Sequence, residues 1–324
     1  MKKVMFLRAL LVVMCLGFCL VFLSQSAVSA APAYPERDIR FIISWSAGGG
    51  TDVVGRQIAS QMEKILGVNI IVDNILGGSG AVGFKVGADS PADGYTWIMG
   101  ATPMLLQKHN GGTFVDYALF DHIAIFNADP ASLIVPKNSS NTLAEFVEYA
   151  VANPGRLTCA NSGVGNTWHV TGIQFEKLIG TSFIHVPYAN GLDAAVAVAG
   201  GHVDLSTVSA AEAATLVETG EAKFLAIASE ERDPSFPDVP TFREQGIDLV
   251  NGTCRWVAVP TGTDPQIIGI IEDALKQVYE SEEFRTFMRN GKFGVQWKSG
   301  EELQTFLDES DAEYAVLFET ISIE

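Results

Sequence analysis

The residues best suited to chemistry in this chain are three consecutive glycines at positions 48–50. They follow an apolar run at residues 41–43, which predicts a buried strand. They precede a predicted helix whose apolar face begins at Val54. The first turn of a helix carries unpaired N–H groups and partial positive charge. The pattern therefore predicts an anion-binding loop made of backbone groups, although an ordinary strand–turn–helix corner has the same pattern.

Residues around these glycines extend the predicted binding loop. Trp45 is interpreted either as the wall of a cleft or as core packing, and Ser46 as a hydrogen-bond donor to a ligand. Asp52 is expected to brace the loop or cap the helix, because its carboxylate would repel an anion. The predicted ligand contacts of this first loop are Trp45, Ser46, Ala47, Gly48, Gly49, Gly50 and Thr51.

A second strand–glycine–helix corner occurs further along the chain. Residues 157–160 predict a strand and residues 167–179 a helix. Ligands of α/β folds commonly bind in clefts at the carboxyl ends of parallel strands. Two such corners on either side of a cleft predict a carboxylate held between two helix N-termini. The predicted contacts of the second loop are Ser162, Gly163, Gly165, Asn166 and Thr167.

Three further side chains are candidates for the site. Thr102 follows a predicted strand at its carboxyl end, so its hydroxyl is expected to reach the ligand. Ser209 follows a strand at residues 203–208 and either contacts the ligand or only caps a helix. Arg255 either pairs with a distal carboxylate of the ligand or forms a structural salt bridge.

Composition and motif spacing argue against several other classes. A formal net charge of −17 over 324 residues argues against nucleic-acid binding. The five histidines and the cysteines lack metal-ligand spacing. A G-x-G-x-x-G match at residues 78–83 is a weak sign of a dinucleotide site. The sequence does not contain the G-x-S-x-G motif that would indicate a nucleophilic serine. We therefore expect no catalytic residue, no metal, no cofactor and no enzyme activity.

The N-terminus has the three parts of an export signal. Three basic residues lie within the first eight positions, an apolar core follows at residues 9–23, and small residues form a cleavage site at residues 28–30. The apolar core is short for a permanent membrane anchor. We expect a signal peptide at residues 1–30, cleaved after Ala30 or alternatively after Ala33, and a mature chain in a bacterial periplasm.

Two cysteines remain after the predicted cleavage, Cys159 and Cys254. The oxidising periplasm permits a disulfide between them. Both fall on predicted buried strands, where free cysteines are common, so the bridged and the free state both stay open.

Predicted strands and helices alternate along the whole chain, which indicates α/β layers with mostly parallel sheets. The mature length of about 290 residues is enough for two lobes with separate cores. Thr142 and Glu145 form a capping box that predicts a helix start in the middle of the chain.

Several short motifs follow one another along the chain: Tyr34-Pro35, residues 49–52, residues 72–74 followed by 77–80, residues 92–96, and later motifs at 160–165, 185–188, 237–241 and 258–263. With these motifs the chain resembles the substrate-binding proteins of the tripartite tricarboxylate transporters, the Bug family, over essentially the whole mature length. Three positions depart from the family pattern. Asp73 stands for a glutamate, Ser79 interrupts a glycine block and Ala92 stands for a proline.

The resemblance implies the two-lobed periplasmic binding protein fold of type II, with two crossover strands and each lobe a mostly parallel sheet flanked by helices. Lobe 1 would then comprise residues 31–133 and 256–324, and lobe 2 residues 134–255. It also implies that Tyr188 lines the pocket and that Asp52 holds the first loop.

The resemblance further implies an exported solute-binding protein that closes on a small carboxylate. Its partners would be two integral membrane permease subunits driven by an ion gradient, and we expect a monomer. Di- or tricarboxylates are favoured if Arg255 faces the cleft; otherwise monocarboxylates, aromatic acids and amides stay open. The alternatives are a ligand sensor for a membrane signalling protein and an exported enzyme that uses the same cleft.

Overall fold

The computed structural model describes residues 33–111, 115–321 and 323. The predicted export signal, residues 1–30, lies outside them. Residues 34–324 form one compact unit, and this unit contains two β-sheets. We call the six-stranded sheet with its helices lobe 1, and the five-stranded sheet with its helices lobe 2.

Strands and helices alternate in the order that the sequence predicts. The strands are β1 (Ile39–Ile43), β2 (Ile70–Asn74), β3 (Thr96–Ala101), β4 (Phe120–Pro130), β5 (Ser132–Pro136), β6 (Thr158–Asn161), β7 (Ile184–Pro187), β8 (Leu205–Ser206), β9 (Ala222–Ile227), β10 (Gly252–Pro260) and β11 (Val295–Ser299). The α-helices are α1 (Gly50–Leu66), α2 (Ala81–Ala88), α3 (Thr102–Leu106), α4 (Leu143–Ala152), α5 (Thr167–Ile179), α6 (Gly191–Ala199), α7 (Ala210–Glu218), α8 (Pro265–Glu280), α9 (Glu282–Asn290) and α10 (Gly300–Phe318). Short 3₁₀ turns occupy Gly78–Gly80, Tyr117–Leu119 and Arg243–Gln245.

Both sheets combine parallel and antiparallel pairs. The sheet of lobe 1 has the order β11-β4-β10-β3-β1-β2, with β1 parallel to β2 and β3 and the pairs made by β10 and β11 antiparallel. The sheet of lobe 2 has the order β7-β6-β8-β5-β9, with β6 parallel to its neighbours and β5 antiparallel to β8 and β9. The expectation of mostly parallel sheets is therefore corrected to mixed sheets, because the strands that flank the connections between the lobes run in opposite directions.

Two chain segments connect the sheets, and one is much shorter than the other. The chain leaves lobe 1 at the end of β4 and enters β5 of lobe 2 across the single residue Ala131. It returns from β9 through residues 228–251 and enters β10. Arg255 therefore lies in the sheet of lobe 1, where it is opposite Ala101 and Asn127. The lobe bounds proposed from the sequence, at residues 133 and 255, stay a prediction.

Each lobe has its own apolar core, and the central strands of lobe 1 are covered on both faces. Trp97 and Val257 pack on one face with α1 and α8, and their neighbours Ile98 and Trp256 pack on the other face with α10. Successive residues of a strand point to opposite faces, which explains why a near-continuous apolar run is buried there. Lobe 2 is packed around a separate cluster that includes Phe175.

Two helices begin directly at the predicted glycine loops. The helix α1 starts after the N-cap Gly49, and α5 starts after the N-cap Asn166; neither cap residue contributes a side-chain hydrogen bond. By contrast, Thr142 and Glu145 form the predicted capping box at the start of α4. The N-termini of α1 and α5 therefore leave first-turn N–H groups for other acceptors.

The two cysteines are free thiols. Burial raises the pKa of the Cys254 thiol to about 12 and also raises the pKa of Cys159. Among the described helices, none combines the length and the apolar character needed to cross a membrane.

Candidate functional site

The two predicted loops meet at one cavity between the lobes. Its volume is about 20 Å³, which is room for on the order of one water molecule. The N-termini of α1 and α5 and the strand β10 contribute to its walls. It is lined by Trp45, Gly49, Thr51, Ala101, Pro103, Ser162, Asn166, Thr167, Trp168, Asn190, Gly191, Glu212, Thr253 and Arg255.

Part of the set predicted from the sequence lines this cavity, namely Trp45, Gly49, Thr51, Ser162, Asn166, Thr167 and Arg255. Trp45 also packs edge-on against Phe84, with ring centroids 5.8 Å apart, so it serves both the wall and the core. The other candidates lie outside the cavity wall: Ser46, Ala47, Gly48, Gly50, Thr102, Gly163, Gly165, Tyr188 and Ser209.

Asp52 braces the first loop from within lobe 1. Its Oδ2 accepts a hydrogen bond from the N–H of Gly48 at 3.0 Å, and Arg56 and Asn74 donate to the same carboxylate. Burial favours the neutral acid, but these hydrogen bonds outweigh it and lower the pKa of Asp52. The ionised carboxylate therefore holds Gly48, whose φ of +89° suits glycine.

Two hydrogen bonds join the first loop to lobe 2. The side-chain amide of Asn190 donates to Ser46 Oγ at 2.7 Å. The N–H of Gly50 donates to Glu212 Oε1 at 3.0 Å. A backbone N–H predicted to bind a ligand anion therefore already binds a carboxylate of the chain itself.

The second loop also touches lobe 1. Ser79 Oγ donates to the carbonyl of Val164 at 2.6 Å. Gly163 has φ +120°, and a Cβ at this position would lie 2.7 Å from Ser79 Oγ. At Gly165, with φ +71°, a Cβ would lie 2.8 Å from Asn110 Nδ2. Both glycines thus permit a close approach of the lobes that a larger residue would obstruct.

Glu212 is a half-buried carboxylate with partners on both oxygens. Oε1 accepts from Gly50 as described, and Oε2 accepts from Ser209 Oγ at 3.2 Å. Burial raises the pKa of Glu212, while the neighbouring Arg255 and the Gly50 N–H act in the opposite direction and Asp129 adds to the rise. Glu212 is therefore an acidic residue of the cavity wall whose pKa is raised by burial more than these neighbours lower it.

Arg255 both lines the cavity and forms a salt bridge. Its Nη1 donates to the carboxylate of Asp129 and to the amide oxygen of Asn127, and its Nε donates to Thr51 Oγ1 at 3.0 Å. The Arg255 and Asp129 side chains are each 1% exposed. The positive charge at the cavity is thus already balanced by a carboxylate of lobe 1.

The second loop contains the least satisfied polar group of the cavity. Gly163 N–H donates to Asn161 Oδ1 and Gly165 N–H donates to His169 Nδ1, both at 3.0 Å. Thr167 is 1% exposed, and its Oγ1 has no hydrogen-bond partner among the described residues. Because a buried polar group without a partner costs free energy, this hydroxyl is well placed to bind a ligand atom.

Three of the predicted side chains have structural partners. Thr102 Oγ1 accepts the N–H of Cys254 at 2.9 Å. Ser209 is the N-cap of α7. Tyr188 packs against the core of lobe 2, and its N–H donates to Asn161 O at 2.8 Å. These contacts account for the positions of the three residues without a ligand.

The sequence reasoning missed Asn190 and Glu212. Asn190 caps α6 directly after β7, so a third strand–loop–helix corner was visible in the sequence. Glu212 stands three residues after Ser209, the spacing of a capping box, in which the glutamate returns to the N-cap N–H. Here its carboxylate reaches Gly50 instead, which local sequence does not indicate.

His169 is the histidine nearest the second loop. Burial and, to a smaller degree, the neighbouring His185 lower its pKa to about 4, so the ring is neutral and Nδ1 accepts the N–H of Gly165. The two rings meet edge-on with centroids 4.3 Å apart. Within the described part of the chain, no group of three or more His, Cys, Asp and Glu residues could hold a metal ion.

The family comparison covers most of the chain. Residues 54–323 match the family described as the tripartite tricarboxylate transporter family receptor. A protein of Cupriavidus necator, described as the UPF0065 protein in the gbd 5' region, is 33% identical over 267 residues, which cover 81% of this chain and 80% of that protein.

Solved structures agree with the fold. A TctC solute-binding protein from Polaromonas is 35% identical with a TM-score of 0.68, covering 89% of this chain and all of that one. MatC from Rhodopseudomonas palustris, solved with bound malate, is 25% identical with a TM-score of 0.83, covering 88% of this chain and all of that one. The matched proteins are binding receptors rather than enzymes. The chain belongs to the tripartite tricarboxylate transporter receptor family, whose members are solute-binding proteins.

Proposed function

We propose that this chain is an exported solute-binding protein that captures a small organic acid between its lobes and delivers it to the membrane subunits of a tripartite transporter. The observation that carries the proposal is the buried hydroxyl of Thr167 in the interlobe cavity, which has no hydrogen-bond partner in the described part of the chain. This hydroxyl belongs to the first residue of α5, where helix N–H groups favour negative charge.

A carboxylate is the ligand group that suits this place best. The first hydrogen bond between residues of α5 and its cap runs from Val170 N to Asn166 O, so the N–H groups of the preceding first-turn residues point out of the helix. Thr167 Oγ1 adds a side-chain donor at the same end. Each hydrogen bond to a charged oxygen contributes about 1.5–3 kcal/mol, so a few of them support micromolar binding.

Capture requires the lobes to move apart. A cavity of about 20 Å³ has room for about one water, whereas an organic acid has several non-hydrogen atoms. The single residue Ala131 and the segment of residues 228–251 connect the sheets. Rotation about these connections would open the cavity, and closure on the acid would exclude water.

The carboxylate class draws support from the relatives. The family is a receptor family of tripartite tricarboxylate transporters, and MatC was solved with malate, a dicarboxylate. Di- and tricarboxylates, the class indicated by the family description and by the malate of MatC, are therefore the first class to test. Delivery to integral membrane subunits driven by an ion gradient follows from the family and is part of the proposal.

Export is tested by the N-terminus of the protein recovered from a periplasmic fraction. A mature chain that begins at Ala31 supports cleavage after Ala30. A chain that stays in the membrane fraction with residues 1–30 attached contradicts the export proposal.

Binding is tested by thermal shift and calorimetry with mono-, di- and tricarboxylates and their amides. Ligand that binds only the folded state raises the unfolding midpoint. Thr167→Val should weaken every acid that binds by about tenfold or more, because one hydrogen bond to the carboxylate is lost. Thr171→Val is the matched control, since this buried threonine lies one turn further along α5 and donates only to Thr167 O. Failure of all acids to bind folded protein contradicts the proposal.

A further inference from the structure

Glu212 occupies one backbone donor of the first loop. The N–H of Gly50, at the start of α1, donates to Glu212 Oε1 at 3.0 Å. Glu212 belongs to lobe 2 and lines the cavity together with Thr167. One end of the cavity thus holds a hydroxyl without a partner among the described residues, and another part of its wall holds a carboxyl group whose oxygens accept hydrogen bonds.

The position of Glu212 depends on two glycines. A Cβ at Gly191 would lie 2.2 Å from Glu212 Oε2, and a Cβ at Gly50 would lie 3.2 Å from Oε1. Ser209 Oγ lies 3.2 Å from Oε2 and fixes the other oxygen. The carboxylate therefore fits a space that only glycine leaves open at these positions.

The charges around the cavity do not favour a second carboxylate on the ligand. Arg255 is the cation of the cavity wall, and Asp129 is its buried partner. Arg255 and Asp129 together carry no net charge, and the Glu212 carboxyl adds a second acidic side chain beside them. A further carboxylate beside Arg255 would face two acidic side chains with one guanidinium between them, and like charges placed together disfavour binding.

We propose that Glu212 is a specificity-determining residue that accepts a hydrogen bond from the ligand, so that the preferred ligand is an organic acid with an amide or ammonium group at its far end. The ligand carboxylate would bind at Thr167 and the N-terminus of α5. Its donor group would face Glu212, whose carboxyl oxygens accept hydrogen bonds. This inference rests on the proposed function and narrows its ligand class.

The proposal is tested with pairs of acids that differ in one group. Succinate is compared with succinamate, adipate with adipamate, and 4-aminobutyrate serves as the ammonium ligand. Dissociation constants are measured by calorimetry for the wild-type protein, Glu212→Gln and the control Glu301→Gln. Glu301 is also an acidic residue in the first turn of a helix, but it is exposed and does not line the cavity.

Wild-type protein should bind the monoamide or the ammonium acid about tenfold or more tightly than the matching diacid. Glu212→Gln should reduce or reverse this preference, because the side-chain amide of glutamine can donate a hydrogen bond to a carboxylate of the ligand. Glu301→Gln should retain the wild-type preference. The ratio within each pair, rather than the absolute affinity, is the readout.

A wild-type preference for the diacids overturns the inference, even where Glu212→Gln does not fold. An equal loss for both members of each pair in Glu212→Gln also overturns it, since Glu212 would then only support α1. Binding of diacids by the wild type leaves the proposed function standing. Failure of every acid to bind removes the proposed function and this inference together.

Discussion

Arg255 and Asp129 form a buried ion pair within a single lobe, although Arg255 also lines the cavity between the lobes. Arg255 lies on β10 and Asp129 on β4, which are neighbouring strands of the same sheet, and each side chain is 1% exposed. Opening of the lobes therefore leaves the pair intact. It belongs to the framework on which the cavity is built.

Removal of Arg255 should destabilise the protein strongly. Arg255→Met leaves the carboxylate of Asp129 buried without its cation, and loss of one partner of a buried pair costs about 3–5 kcal/mol. Urea unfolding measures this change. Arg289→Met is the matched control, because Arg289 and its partner Glu282 are 64% and 79% exposed and an exposed pair contributes about 0–1 kcal/mol. Equal stability of Arg255→Met and the wild type would show that the pair is not structural.

The contacts between the lobes should control the open–closed equilibrium. Ser46 Oγ accepts from Asn190, and Ser79 Oγ donates to Val164 O. The double variant Ser46→Ala, Ser79→Ala removes both bonds and should increase the radius of gyration of the ligand-free protein in X-ray scattering. Ser90→Ala is the control, since Ser90 Oγ bonds Val86 O within lobe 1. An unchanged radius would mean that these bonds do not hold the lobes together.

Gly163 should be intolerant of bulky residues for a reason beyond its backbone angle. Gly163→Val adds a Cβ 2.7 Å from Ser79 Oγ at a residue with φ +120°, and it should weaken the binding of every acid by about tenfold or more. Gly201→Val tests strain alone, because Gly201 has φ +68° and its Cβ would meet nothing within 4 Å. If both variants lost affinity equally, obstruction of closure would not be the cause.

His169 should make the protein less stable in mild acid. Its pKa is lowered to about 4 in the folded protein from an ordinary 6.5, so below pH 6.5 the unfolded state takes up a proton that the folded state refuses. Stability is therefore complete above pH 6.5 and falls as the pH drops towards 4, by up to about 1.4 kcal/mol per pH unit from this residue.

The measurement is urea unfolding of wild type, His169→Gln and His202→Gln at pH 7 and pH 5. His169→Gln should lose less stability over this interval than the wild type does. His202 is exposed, so its variant should follow the wild type. The comparison removes the contribution of His122, whose pKa is lowered to about 4 by burial in all three proteins. Equal slopes for His169→Gln and the wild type would contradict the assignment.

The sequence by itself determined the local features of this protein. The strand–glycine–helix corners at residues 48–50 and 162–166 were recognisable because helix starts and tight turns depend on neighbouring residues. The capping box of Thr142 and Glu145 was recognisable for the same reason. The ordered blocks of motifs were enough to predict the family and the two-lobed fold.

Only the tertiary structure decided which charges share the cavity. Asp129 is 126 residues from Arg255 along the chain, and Glu212 is 162 residues from Gly50. Local pattern marked Glu212 as a helix cap, and Arg255 could be interpreted either as a ligand contact or as a structural residue. The role of Arg255 depends on the charged side chains beside it, which are Asp129 on β4 and Glu212 on α7. That juxtaposition arises from the packing of whole sheets, and no local sequence signal encodes it.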